Sequence, residues 1–100
     1  MKDNYNYDKV PVDYMVDSVR MYIEKGVMSG GFLTALFSND LVGVYNRADK
    51  ANEEAMKKWV TFLFCYAPAS CWGSKERVLD WSRDGGYVGR RKKKEEEANV

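Results

Sequence analysis

Residues 49–66 read Asp-Lys-Ala-Asn-Glu-Glu-Ala-Met-Lys-Lys-Trp-Val-Thr-Phe-Leu-Phe-Cys-Tyr, and this stretch decides the fold. Asp49 suits an N-cap, because a short carboxylate accepts the free backbone N–H groups of a first helical turn. Glu53–Lys57 and Glu54–Lys58 stand four residues apart with the acid first, the orientation that supports a helix. Ala55, Met56, Trp59, Val60, Phe62 and Leu63 give an apolar face at three- and four-residue spacing. The spacing predicts one long helix near 49–66, the spine of a small all-α bundle of four to five helices. Its last turns are apolar nearly all round, so they are buried on several sides or feed an interface. Exposed apolar area at Phe62, Phe64 and Tyr66 would favour a homo-oligomer, since a chain this short covers little surface.

Upstream, Val10-Pro11 predicts a helix start, where the missing proline N–H does no harm. Val12, Met15, Val16, Val19, Tyr22 and Ile23 form its apolar stripe, and Gly26 its left-handed stop. Phe32 to Ser38 reads as a short helix after Ser29-Gly30-Gly31. Asn39-Asp40 caps another, carrying Leu41, Val42, Val44 and Tyr45, with Gly43 marking either a weak point or a close crossing. Downstream, Pro68 ends the spine and Ser74 caps a last helix with Val78, Leu79 and Trp81 inward. Residues 1–9 read as a flexible, tyrosine-bearing arm, 10–84 as one helical domain, and 85–100 as a charged, disordered tail. In that tail, Arg91–Glu95, Lys92–Glu96 and Lys93–Glu97 have the base first, the weaker polarity for a helix.

Composition excludes several functions. Residues 1–83 hold 11 Lys/Arg and 11 Asp/Glu, so the body is neutral. Duplex DNA binding normally needs a basic face, and none is implied. With no histidine and two cysteines, neither a Cys-His or Ser-His nucleophile nor a tetrahedral zinc site can be assembled. No catalytic residues, metal or cofactor are expected. No apolar run approaches a membrane span, and the polar start Met1-Lys2-Asp3-Asn4 has no signal-peptide character. A cytoplasmic protein with reduced, buried thiols is expected, although Cys65 and Cys71 are close enough in sequence for pairing to stay open.

Three places carry chemistry that punctuation alone does not exhaust. Ser29-Gly30-Gly31 is either a tight turn between packed helices or a cradle of backbone N–H groups for an anion. It lacks the lysine and spacing of a P-loop. Trp72-Gly73-Ser74-Lys75 is either a core tryptophan with a serine cap or an aromatic platform beside an anion-binding helix start. Arg47, within Asn39-Asp40, Arg47-Ala48-Asp49 and Asn52, either pairs with a neighbouring carboxylate or faces a ligand. The surrounding Asp and Asn residues otherwise read as caps and loop locks. Tyr5 and Tyr7 of the arm are either partner contacts, disordered, or packed locally on the body.

The order Pro11, Gly30-Gly31-Phe32-Leu33, Asn39-Asp40-Leu41, Arg47-Ala48-Asp49 with Asn52, Pro68, Cys71-Trp72-Gly73-Ser74 and Trp81 resembles a group of small proteins encoded by tailed bacteriophages. The likeness covers residues 10–81, about seven tenths of the chain. Val27-Met28 and Val44-Tyr45 depart from the pattern, and the Lys/Glu tail lies beyond it. The resemblance implies a phage accessory protein made in the host bacterial cytoplasm and acting on host processes or host defence.

Two functions follow as expectations. The first is non-catalytic sequestration of a small anionic, nucleotide-like host signal by Gly30, Gly31, Arg47, Trp72, Gly73, Ser74 and Lys75. The second is a protein-binding inhibitor of a host enzyme or bacterial defence complex, resting on the aromatic surplus and the tyrosine arm.

Overall fold

A computed structural model describes residues 6–98, and Tyr5 lies outside them. The described residues form seven α-helices and no strand: α1 (Val16–Lys25), α2 (Gly31–Phe37), α3 (Leu41–Arg47), α4 (Lys50–Glu54), α5 (Met56–Cys65), α6 (Lys75–Asp84) and α7 (Gly86–Ala98). This is the small all-α bundle implied by the sequence. No helix is long and apolar enough to cross a membrane among the described residues.

The single long helix expected near 49–66 is instead two shorter ones, α4 and α5, divided at Ala55. Asp49 accepts the Asn52 N–H at 2.8 Å and opens α4. At Ala55 (φ −96°, ψ 10°) the backbone tightens, and its N–H is shared between the carbonyls of Ala51 and Asn52. The ladder resumes at once with Trp59 N–H to the Ala55 carbonyl at 2.8 Å. Trp59, Phe62 and Leu63 enter the core, where they meet Val19, Tyr22 and Ile23 of α1, Phe32, Leu33 and Phe37 of α2, and Val78 and Trp81 of α6. Phe62 is thus unavailable to an oligomer interface. Of the three residues expected there, Phe64 alone is open to solvent and Tyr66 is half-buried.

Three apolar residues expected inward are exposed: Val60, Leu79 and Tyr45, with Leu41 and Val42 beside the last. On α3 the cause is helix length. α3 is seven residues long and buries one narrow face, Gly43 and Val44. A Cβ on Gly43 would lie 3.0 Å from the Ala35 Cβ, so the glycine marks the close crossing of α3 over α2.

The proline start is corrected. Val12 is extended (φ −126°, ψ 117°), and helix begins with a 3-10 turn at Asp13–Met15. Val10 and Val12 are both buried, and residues two apart share a side only in extended chain. The arm is corrected in part. Tyr7–Lys9 forms a 3-10 turn tied to the body, with the Arg20 guanidinium 4.8 Å from the Tyr7 ring and Lys9 over Tyr66 at 5.7 Å.

The tail is also corrected. Residues 86–98 form α7, which packs along α1 and α6, so this segment is ordered helix. Its anchor is a junction of backbones. α1 stops at Gly26 in the left-handed region (φ 75°), and Gly26 meets Gly86 (φ 71°) without side chains between them. Beyond Tyr22, whose carbonyl accepts the Gly26 N–H at 2.8 Å, the last carbonyls of α1 have no helical donors, and side chains of α6 reach both kinds. The Trp81 indole N–H donates to those of Tyr22 and Ile23 at 3.1 Å each, and the Ser82 hydroxyl to that of Gly26 at 2.7 Å. Arg90 closes the seam by stacking on Trp81 at 4.6 Å and pairing with Asp84 at 3.0 Å. Residues 91–98 then stand exposed, as their charge dictates.

Candidate functional site

α2, α3 and the start of α6 enclose an open groove of about 640 Å³. That lies within the roughly 300–1,000 Å³ range of small-molecule sites. Gly30 (φ 86°) turns the chain into α2, and the Thr34 hydroxyl donates to its carbonyl at 2.8 Å. At the far end of α2, Asn39 takes a left-handed conformation (φ 61°), which asparagine tolerates. Asp40 then starts α3 by accepting the Gly43 N–H at 3.0 Å. These turns place Gly30, Gly31, Thr34, Ser38, Asn39 and Asp40 along one wall, with Arg47 and Lys75 completing the groove.

Arg47 sits directly over Gly31. A Cβ at Gly31 would lie 2.6 Å from the Arg47 Cδ and Nε. The guanidinium and the Lys75 ammonium are both exposed, and neither has an ion pair or hydrogen bond among the described residues. Two unpaired cations beside one carboxylate attract an anion into the groove.

Compared with protein-family models, curated proteins and solved structures, the chain matches none. The chemistry of the groove therefore rests on its own residues.

Of the seven residues singled out from sequence, Gly30, Gly31, Arg47 and Lys75 meet here, and Trp72, Gly73 and Ser74 do not line the groove. Trp72 is half-buried against the core, and its carbonyl accepts from Arg77 at 3.4 Å. The Gly73 N–H donates to the Phe37 carbonyl at 2.8 Å, which satisfies the end of α2. The Ser74 hydroxyl accepts the Arg77 N–H at 3.1 Å and caps α6. Here these three serve the core, the end of α2 and the cap of α6. Asn52 is also structural: it is buried, and its Oδ1 accepts the Trp59 indole N–H at 3.0 Å. Thr34, Ser38 and Asp40 were missed as groove residues. The signal was present, because Thr34 and Ser38 follow Gly30 at helical four-residue intervals.

Elsewhere the titratable groups serve the fold. The Tyr14 hydroxyl donates to Asp49, which holds the Asp49 carboxyl below its ordinary range, and the Asn52 N–H adds to the effect. The Tyr22 hydroxyl donates to the Cys71 carbonyl at 2.6 Å, and burial raises the Tyr22 pKa. Burial pushes the Cys71 thiol up to about 12, from an ordinary value near 9.0. No group of three or more Cys, Asp or Glu side chains is placed to hold a metal among the described residues.

Both cysteines are free thiols, Cys65 exposed and Cys71 buried. Thiol titration should therefore be biphasic at neutral pH, with Cys65 reacting at once and Cys71 only at the rate of unfolding. The native Cys71 pKa exceeds that of the unfolded chain, so folding binds the proton. The associated stability is intact below pH 9 and is lost progressively as pH rises toward 12. Equal reaction rates for the two thiols in the native protein would contradict this placement.

Proposed function

We propose that this protein is a non-catalytic accessory protein of a tailed bacteriophage. In the host bacterial cytoplasm it binds and sequesters a small anionic, nucleotide-like signal in the α2–α3–α6 groove. One observation carries the reading: Arg47 and Lys75, far apart in sequence and without partners among the described residues, line the same groove as Gly30-Gly31, with Arg47 over Gly31. A salt-bridged pair would be explained by the fold, whereas two exposed cations facing a common hollow leave charge to be matched by a ligand. Arg47 offers a planar fork of donors suited to two phosphate oxygens, and Lys75 a compact mobile charge.

Calorimetry with cyclic and ADP-ribose-type nucleotides tests this reading. Submicromolar binding is expected from at least one. A hydrogen bond to a charged group contributes about 1.5–3 kcal/mol. Arg47→Ala or Lys75→Ala should then weaken binding roughly 10- to 150-fold. Both side chains are exposed, so circular dichroism and melting should be nearly unchanged. Absence of heat across the panel would reject the reading.

A further inference from the structure

We infer that the groove recognises the ribose-phosphate part of its ligand and is blind to the base. The inference rests on the anion-binding reading above and specifies its ligand. Its starting point is the division of chemistry within the groove. Arg47 and Lys75 supply positive charge, whereas Ser38, Asn39 and Asp40 supply neutral and acidic hydrogen-bonding groups. A site for bare phosphate gains nothing from a carboxylate, which repels it. A sugar phosphate needs both, cations for the phosphate and an acceptor for the hydroxyls.

Asp40 is equipped to be that acceptor. Its Oδ1 is engaged by the Gly43 N–H at 3.0 Å. Its Oδ2 has no hydrogen-bond partner among the described residues, and neither has the Ser38 hydroxyl. A carboxylate only accepts hydrogen bonds, and sugar hydroxyls donate them. The N-cap bond also fixes the carboxylate on the groove wall. Gly43 makes this possible, since a Cβ there would fall 2.4 Å from Oδ2.

The groove offers a base no aromatic surface to stack on, only polar side chains that the sugar and phosphate would occupy. Its lining includes no aromatic ring, and bases are usually held by stacking as well as by edge contacts. The tryptophan nearest in sequence to Lys75 is Trp72, which is packed against the core. A base would therefore project from the open side of the groove into solvent and contribute little to affinity.

Calorimetry with five probes decides this: adenosine, guanosine and uridine 5′-monophosphates, ribose 5-phosphate and 2-deoxyribose 5-phosphate. The three nucleotides and ribose 5-phosphate should bind within about threefold of one another. The deoxy sugar should bind about tenfold more weakly, the effect of losing one hydrogen bond to a charged acceptor. Asp40→Asn keeps the helix cap, since asparagine caps as well as aspartate. It should reduce the ribose-to-deoxyribose ratio to near one while inorganic phosphate binds at least as tightly as before. A spread above tenfold among the three bases would overturn the inference while leaving an anion-binding groove. So would an unchanged sugar ratio in Asp40→Asn. No heat from any probe or from the wider nucleotide panel would overturn both readings.

Discussion

Gly86→Ala lowers the stability of the protein by roughly 2–5 kcal/mol, the sum expected from a left-handed alanine and an overpacked contact. Gly86 has φ 71°, a region in which a Cβ crowds the following carbonyl. A Cβ there would also fall 2.5 Å from the Glu24 carbonyl carbon, 2.6 Å from its oxygen and 2.6 Å from the Gly26 nitrogen. All three are backbone atoms of the α1 terminus, so no side chain can swing aside. Either α1 and α7 part, or the Trp81 and Ser82 hydrogen bonds to the α1 carbonyls stretch. Domains of this size are stable by only about 5–15 kcal/mol in total. Each kcal/mol shifts the melting temperature by roughly 4–8 °C. Thermal denaturation should thus show a melting shift of roughly 8–40 °C, and urea denaturation a correspondingly lower midpoint or a partly unfolded variant. Gly85→Ala is the control, because Gly85 is left-handed (φ 82°, ψ 29°) and its Cβ position meets only Gly89, at an ordinary contact distance of 3.5 Å, so backbone strain is all it adds. If the two variants lost equal stability, the close approach of α1 and α7 would be refuted.

That junction also shows where sequence reasoning reaches its limit. Gly26 as a stop, and Asp40, Asp49 and Ser74 as caps, were legible because capping is a contact between near neighbours in sequence. The buried faces of α1 and α5 were legible from periodicity for the same reason. α7 was not. Its Lys-before-Glu polarity argues locally against a helix, and its support comes from Gly26, Trp81 and α1, none of which its own composition reveals. Exposure on α3 was hidden similarly, since a seven-residue helix has too few turns for its pattern to tell an inward valine from an outward one. In the groove, glycines and cations were visible as candidates, but convergence is a tertiary fact. Trp72 lies outside the groove lining, and an aromatic beside a helix start reads alike whether it stacks a ligand or fills the core.

Trp59→Ala should be the most damaging substitution in the core, at about 3–5 kcal/mol for loss of a fully buried tryptophan. Trp59 has no exposed surface and meets Phe32 and Phe62 edge-on at 5.8 and 6.2 Å. Part of that loss belongs to one hydrogen bond, from the indole N–H to Asn52 Oδ1 at 3.0 Å. Asn52 is the one buried polar side chain among the described core residues, and its position follows from the tightened turn at Ala55. Asn52→Ala strands the indole N–H in the core and should cost about 1–3 kcal/mol. Trp59→Phe keeps most of the ring packing but strands the Asn52 amide instead. Removing both partners leaves neither group unsatisfied, so the double variant Asn52→Ala/Trp59→Phe should lose less stability than its two single changes added together. Chemical denaturation of the four proteins in this cycle measures the coupling directly. Strict additivity would mean that water reaches the pair, and that α4 and α5 are joined by backbone alone.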